Sequence, residues 1–182
     1  MEEEIRAYDA STVKYFLLAA FSLLIGTVQG VIQILPPVHA WILATGLAGA
    51  WIDPLAHTHI TLVGGVTTAL MGTFYYLLPR AARRPIYSMR LADGSFWFSF
   101  TGAYLFYAFL MALGLTEGFY MQAGHTYLAA MARYSWLNVG VIFGAIGMGI
   151  GYWSFIGNVF LTVWGRRANQ RAAAVSAERE VR

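Results

Sequence analysis

Four long apolar runs constrain this chain more than anything else in it. They are Tyr15 to Leu35, Leu55 to Leu78, Phe96 to Leu115 and Trp136 to Trp164. Each reaches the roughly 20 residues that a helix needs to cross a bilayer. Pro36-Pro37 stops the first run and Pro79 the second, because proline brings no N–H and ends the helix. The composition agrees: 58% of residues are hydrophobic and 12% charged, and a soluble domain carries roughly twice that charged fraction. The expected fold is all-α, an integral membrane protein of four transmembrane helices. Residues 1–14 form a cytoplasmic N-terminal segment, 15–165 the transmembrane domain and 166–182 a basic cytoplasmic tail. No internal repeat and no second domain is visible.

The stretch "VHAWILATGLAGAWID" lies between the first two runs. It is short, interrupted by glycine and carries two Trp, so it reads as an interfacial or re-entrant element. Arg80, Arg83, Arg84 and Arg90 follow the second run, and Arg166, Arg167, Arg171, Arg179 and Arg182 follow the fourth. Arg6 and Lys14 precede the first, and Arg133 alone falls on the other side. The positive-inside rule then puts both termini in the cytoplasm and every histidine at or near the outer face. Phe74, Tyr75, Tyr76, Phe96, Trp97 and Phe98 read as an interfacial belt at the inner edge. The acidic, polar start "MEEEIRAYDASTVKY" does not read as a cleaved leader. The tail after Trp164, rich in charge and helix formers, reads as a solvated helix.

There is no cysteine. That removes disulfides, thiolate metal sites, Cys-ligated iron–sulfur clusters and covalently attached haem of the CxxCH kind. A metal would have to use His, Met, Tyr, a carboxylate or a partner's groups. The net charge of +3 does not argue for nucleic acid, because the basic residues cluster at membrane edges. No nucleophile–base pair, phosphate loop or carboxylate dyad appears, which leaves a freestanding hydrolase without support.

What remains is histidine. His57 and His59 stand two apart in "PLAHTHITLVGG". On a helix such residues point about 200° apart, so one metal cannot easily take both, while two metals can each take one ring. A single metal on one ring, with a hydrogen bond on the other, is the alternative. Ionisable groups in membrane segments are costly and therefore functional candidates. Haem iron accepts neutral imidazole, and the ring's second nitrogen then needs an acceptor. His39 and His125 are each either a second axial ligand from the same side or an interfacial residue. Gln29, between Gly26 and Gly30, is a buried amide that needs a partner, either a neighbouring helix or a cofactor. Gly140, Gly144, Gly147 and Gly151 line one face of the fourth run, where a helix or a flat macrocycle can approach the backbone.

"PLAHTHITLVGGVTTALMGTFYYLLPR" resembles the tenth transmembrane helix of haem–copper oxidase large subunits (subunit I). The nearest branch is the C-type, cbb-type cytochrome c oxidases with the related nitric oxide reductases. "IYSMRLADGSFWFSFTGAYLFYAFLMALGLTEG" resembles the family's next helix and "SWLNVGVIFGAIGMGIGYWSFIGNVFLTVW" its last. "GTVQG" stands where the family often has T-F-E-G, so Gln29 replaces the usual Glu. The resemblance runs in register from about Gly26 to Trp164. It implies that His57 corresponds to the proximal ligand of a high-spin haem and His59 to an axial ligand of a low-spin haem. The family's remaining haem and copper or non-haem iron ligands lie on helices with no counterpart in these 182 residues. They are expected from His39 or His125, another copy or another chain.

The expectation is thus a haem b-binding membrane subunit, with one or two haems. It would carry electrons within a respiratory redox complex of the inner membrane, with its histidines towards the periplasm. Its partners would be other subunits or copies of itself and a periplasmic or membrane electron carrier. Two alternatives are the C-terminal piece of a split oxidase or nitric oxide reductase and a haem-free structural subunit.

Overall fold

The computed structural model describes residues 2–165. The basic tail expected at 166–182 lies outside the described residues. Among the described residues the chain is almost wholly helical, with α1 (Glu2–Ile34), α2 (Pro36–Thr45), α3 (Leu47–Ala82), α4 (Met89–Gln122), α5 (Tyr127–Tyr134) and α6 (Leu137–Trp164). Four of these are long and apolar enough to cross a membrane: Ser11–Ile34 of α1, and α3, α4 and α6. They cover the four sequence runs except for Leu35 and Trp136. The helices overshoot the apolar stretches because their ends follow capping rather than hydropathy. Ser88 Oγ, for example, accepts from Leu91 N at 3.3 Å and starts α4 seven residues ahead of Phe96.

The stretch between the first two runs differs from expectation. Pro36 and Pro37 do not only stop α1; they also open α2, where a missing N–H costs nothing. Gly46, with φ +53°, turns the chain from α2 into α3. A Cβ there would meet nothing within 4 Å, so conformation and not space calls for glycine. From Leu47 the chain already belongs to the second spanning helix.

The tightest pairing joins α4 and α6. Gly140 and Gly144 sit on Phe109 and Phe106, Gly147 on Gly102, and Gly151 on Ser99. The glycine face therefore receives a neighbouring helix. In a bilayer, helices gain nothing from escaping water, so close van der Waals contact through small residues does the joining. Gly26, Gly64, Gly65 and Gly72 do the same between α1 and α3, against Thr61, Ser22, Leu23 and Tyr15.

At the end that carries Arg80 to Arg90, Tyr15, Met71, Tyr75, Ile86, Ala92 and Phe96 form a buried cluster. Tyr75 and Phe96 were expected in the interfacial belt; they are core, while Phe74, Tyr76, Trp97 and Phe98 stay exposed. The reason is polar satisfaction. The Tyr15 hydroxyl donates to Ala92 O at 2.7 Å, Tyr75 and Ser95 hydroxyls lie 3.2 Å apart, and Asn158 bridges Ser88 O and N at 2.9 and 3.1 Å. Lys14 pairs with Asp93 beside it.

A methyl at Gly102 would press on the Gly144 carbonyl at 2.8 Å. Gly102→Ala is therefore expected to destabilise the bundle by about 1–3 kcal/mol. Gly149→Ala, which meets nothing within 4 Å, should be neutral or stabilising. Thermal unfolding of both variants in detergent checks this, and equal behaviour would refute the packing argument.

Candidate functional site

The histidine pair sits where α3 changes its winding. Asp53 is extended (φ −133°, ψ 116°) and Pro54 has no N–H to give. Asp53 thus kinks α3, and beyond the kink the helix is wound more widely, as π-helix over His59–Thr67. The His57 N–H accordingly reaches Ile52 O, five residues back. Regular α-helix was the expectation here. The locally wider turn still sends the two side chains to different neighbours.

His57 leans on α1. Its Cε1 lies 3.1 Å and its Nε2 3.6 Å from where a Cβ of Gly30 would stand, so glycine makes the room the ring occupies. Its Nδ1 is buried and has no hydrogen-bond partner. His59 turns to α4, its ring 4.6 Å from that of Phe106. Its Nδ1 lies 2.8 Å from Leu55 O. A carbonyl only accepts, so Nδ1 carries the proton, and in the neutral ring Nε2 keeps a free lone pair. That is the state of an imidazole ready to ligate a metal, oriented by its second nitrogen. His57 lacks such an acceptor among the described residues.

The other sequence candidates lie apart from this pair. His39 is exposed on α2. His125 is exposed in the turn before α5, where it stacks on Tyr120 at 3.9 Å. Among the described residues no three His, Asp or Glu side chains gather where they could hold a metal. Gln29 is buried, as expected, and its Nε2 donates to Ile52 O at 3.1 Å. Its Oε1 has no partner. It lines a cavity of about 640 Å³ between α1, α2, Ile52 and α4, to which neither His57 nor His59 contributes.

Three residues at this end escaped sequence reasoning. Gln33 lines the same cavity as Gln29; the i, i+4 spacing of two amides in an apolar helix was the available signal. Trp51 Nε1 donates to Glu117 Oε2 at 3.0 Å, and Glu117 is fully buried within α4. Trp51 had been read only as a headgroup-level aromatic. Burial, then the Glu117 carboxylate, pushes the nearby Tyr127 phenol up from its ordinary value.

Four spanning helices, with two imidazoles directed to different neighbours from one of them, define a polytopic membrane protein with a histidine-bearing interior. Residues 1–147 match the family described as "Cytochrome C and Quinol oxidase polypeptide I", and the chain belongs to that family. It is a haem–copper oxidase subunit I-like membrane protein. The match includes His57 and His59 and the first eleven of the 28 residues of α6. No curated protein and no solved structure matches the chain.

Trp51→Phe is expected to cost about 1–3 kcal/mol, by leaving the Glu117 carboxyl without its donor. Adding Glu117→Met should recover most of that loss, since removing both partners leaves no orphan. A double-mutant cycle from unfolding in mixed micelles tests the pair; simple additivity would show that the contact carries no coupling.

Proposed function

We propose that the chain is a haem b-binding membrane subunit that carries electrons within a respiratory redox complex. The observation that supports this best is the bond from His59 Nδ1 to the Leu55 carbonyl. It holds the ring in one orientation and leaves Nε2 bare. The donor set suits haem: neutral imidazoles, no thiolate, and an apolar surround that includes Phe106. When bound, haem supplies a one-electron iron couple. The chain's own residues position it. Leu55 fixes the tautomer of His59, Phe106 packs against that ring, and Gly30 leaves space for the ring of His57. His59 is the low-spin ligand in this reading and His57 the ligand of a second, high-spin haem. The likeness to the C-type oxidases and nitric oxide reductases supports the same assignment. The opposite ligand would come from another chain or another copy, because His39 and His125 are exposed and lie apart from the pair.

The arginines after α3 and the positive-inside rule support an inner-membrane orientation with both termini cytoplasmic and the histidines towards the periplasm. Electrons would then be exchanged with a periplasmic or membrane-bound carrier. The partners are other subunits of the complex or further copies of the chain.

A second reading, a split oxidase or nitric oxide reductase completed by another polypeptide, draws on His57. A buried ring nitrogen with no partner is costly. An acceptor from another chain would relieve it, and the same chain would supply the remaining metal ligands of a reducing centre. Oxygen or nitric oxide consumption by a complex with bound copper or non-haem iron distinguishes this enzyme from the carrier.

His59→Ala is expected to abolish the low-spin α band in reduced-minus-oxidised spectra while the protein still inserts. His57→Ala should keep that band. A pyridine haemochrome assay against protein concentration gives the stoichiometry, one or two per chain. Spectra of His59→Ala identical to the parent would overturn the assignment of His59 as ligand, and a purified complex without haem would overturn the proposal in favour of a structural subunit.

A further inference from the structure

The turn between α3 and α4, at the far end of the spans from the histidines, holds an arginine that the fold does not require. Arg83 closes α3 in the left-handed conformation, with φ +51°. Glycine adopts this cap readily, whereas a residue with a side chain is strained there. The Arg83 side chain is exposed and makes no hydrogen bond or ion pair among the described residues. Packing therefore gives no reason for the choice. The turn itself is held by other groups: Arg84 N donates to Pro79 O at 3.1 Å, Tyr87 N to Thr162 Oγ1 at 3.0 Å and Ser88 N to Asn158 Oδ1 at 3.1 Å. Next to Arg83, Arg84 Nη1 donates to Val163 O at 2.9 Å, in the last turn of α6. That contact uses one of five guanidinium N–H groups and brings a second cation to the strongly exposed Trp164. The nearest acid in sequence, Asp93, is taken by Lys14.

We infer that Arg83 and Arg84 bind the phosphate of an anionic phospholipid whose chains lie along the ends of α3 and α6. Both helices are spanning segments that end here, at the level where headgroups lie. Guanidinium groups match a phosphate with paired N–H donors and stay charged across the physiological range. An exposed indole beside them suits the same level of the bilayer. Leu77 on α3 and Phe160 and Leu161 on α6 are exposed on the apolar side of the turn, where acyl chains would run. A soluble anion would leave these residues unused. A zwitterionic lipid brings its phosphate with a cation of its own, which two arginines repel. The bound lipid offsets the strain of the Arg83 cap. The site is independent of the haem proposal, because it lies at the opposite end of α3 from His57 and His59.

The test uses the full chain in detergent micelles, titrated with dioleoylphosphatidylglycerol or dioleoylphosphatidylcholine and read by native mass spectrometry. Each arginine near an anionic headgroup is worth about fivefold in affinity, so the phosphatidylglycerol is expected to bind about twentyfold more tightly than the phosphatidylcholine. Arg83→Gly should cut that preference about fivefold. The same variant should unfold in lipid-free detergent at an equal or higher temperature, because glycine suits the cap. Arg84→Gln should cut the preference as well, but it also removes the bond to Val163 O, so Arg83→Gly is the decisive variant. Arg133→Gln, at the other end of the bundle, should leave the preference unchanged. Inorganic phosphate in large excess should not displace the lipid. Equal binding of the two lipids, a preference that Arg83→Gly leaves unchanged, or an equal loss in Arg133→Gln overturns the inference. In those cases the arginines serve an acidic protein segment or the orientation of the bundle alone. Displacement by inorganic phosphate overturns it too, in favour of a soluble anion.

Discussion

A polar atom inside a membrane-spanning helix has no water to turn to and must find its partner within protein. The rest of this structure can be derived from which atoms meet that demand. At the arginine-bearing end Tyr15, Tyr75, Ser95 and Asn158 all meet it, chiefly through one another and the backbone at Ser88 and Ala92. At the histidine end several do not. His57 Nδ1, Gln29 Oε1, Gln33 Oε1 and Trp41 Nε1 are buried and unpartnered. The arginine-bearing end is more fully satisfied but not wholly so, since Tyr152 Oη beside its cluster and Ser99 Oγ are also buried without a partner. Such unfinished groups mark where a protein expects something from outside its own chain.

The two ends depend on each other. Close packing of α4 on α6 through glycine, and of α1 on α3 through glycine and serine, fixes the helices against one another. Only then do two rings on α3 acquire different surroundings, one against Gly30 and one against Phe106. The kink at Asp53 contributes the remaining step. Just beyond that kink the Leu55 carbonyl accepts from the His59 side chain. Rigid helices therefore place the imidazoles, and the local departure from regular helix orients them. Most of each span's apolar surface is left uncovered: the buried share of the most apolar window runs from 22% in α6 to 39% in α3. Lipid or partner helices must cover the remainder.

Much of this was legible in the sequence, for identifiable reasons. Apolar run length gave the four spans, and glycine spacing gave the face of α6 that meets α4. The histidine spacing gave two directions for the rings. Other features were hidden because they depend on three-dimensional neighbours. Tyr75 and Phe96 have the composition of a belt, but the hydroxyls around them make a core. Gly46 and the prolines before it looked like the edges of an interfacial element; they are the turn and the start of ordinary helices. The kink in α3 comes from an extended residue at Asp53, which no periodicity announces. That Gln33 and Trp41 share a cavity with Gln29 is likewise a matter of three-dimensional neighbours.

Family membership and site chemistry carry different weight here. A fold shared with haem–copper oxidase subunit I fixes helices and their order, and a fold alone does not fix a reaction. The chemistry must rest on atoms. His59 already has its acceptor and lacks only a ligand; His57 has its space but lacks its acceptor. That asymmetry has a direct consequence. A ring whose second nitrogen is already satisfied can hold haem with the chain's own support. A ring whose second nitrogen is bare depends on an acceptor supplied from elsewhere. The carrier reading needs only the first ring, whereas a complete reducing centre needs the second as well. A reducing centre would need, besides that acceptor at His57, metal ligands that no cluster of the described residues supplies, so it asks for more from another chain than the carrier does.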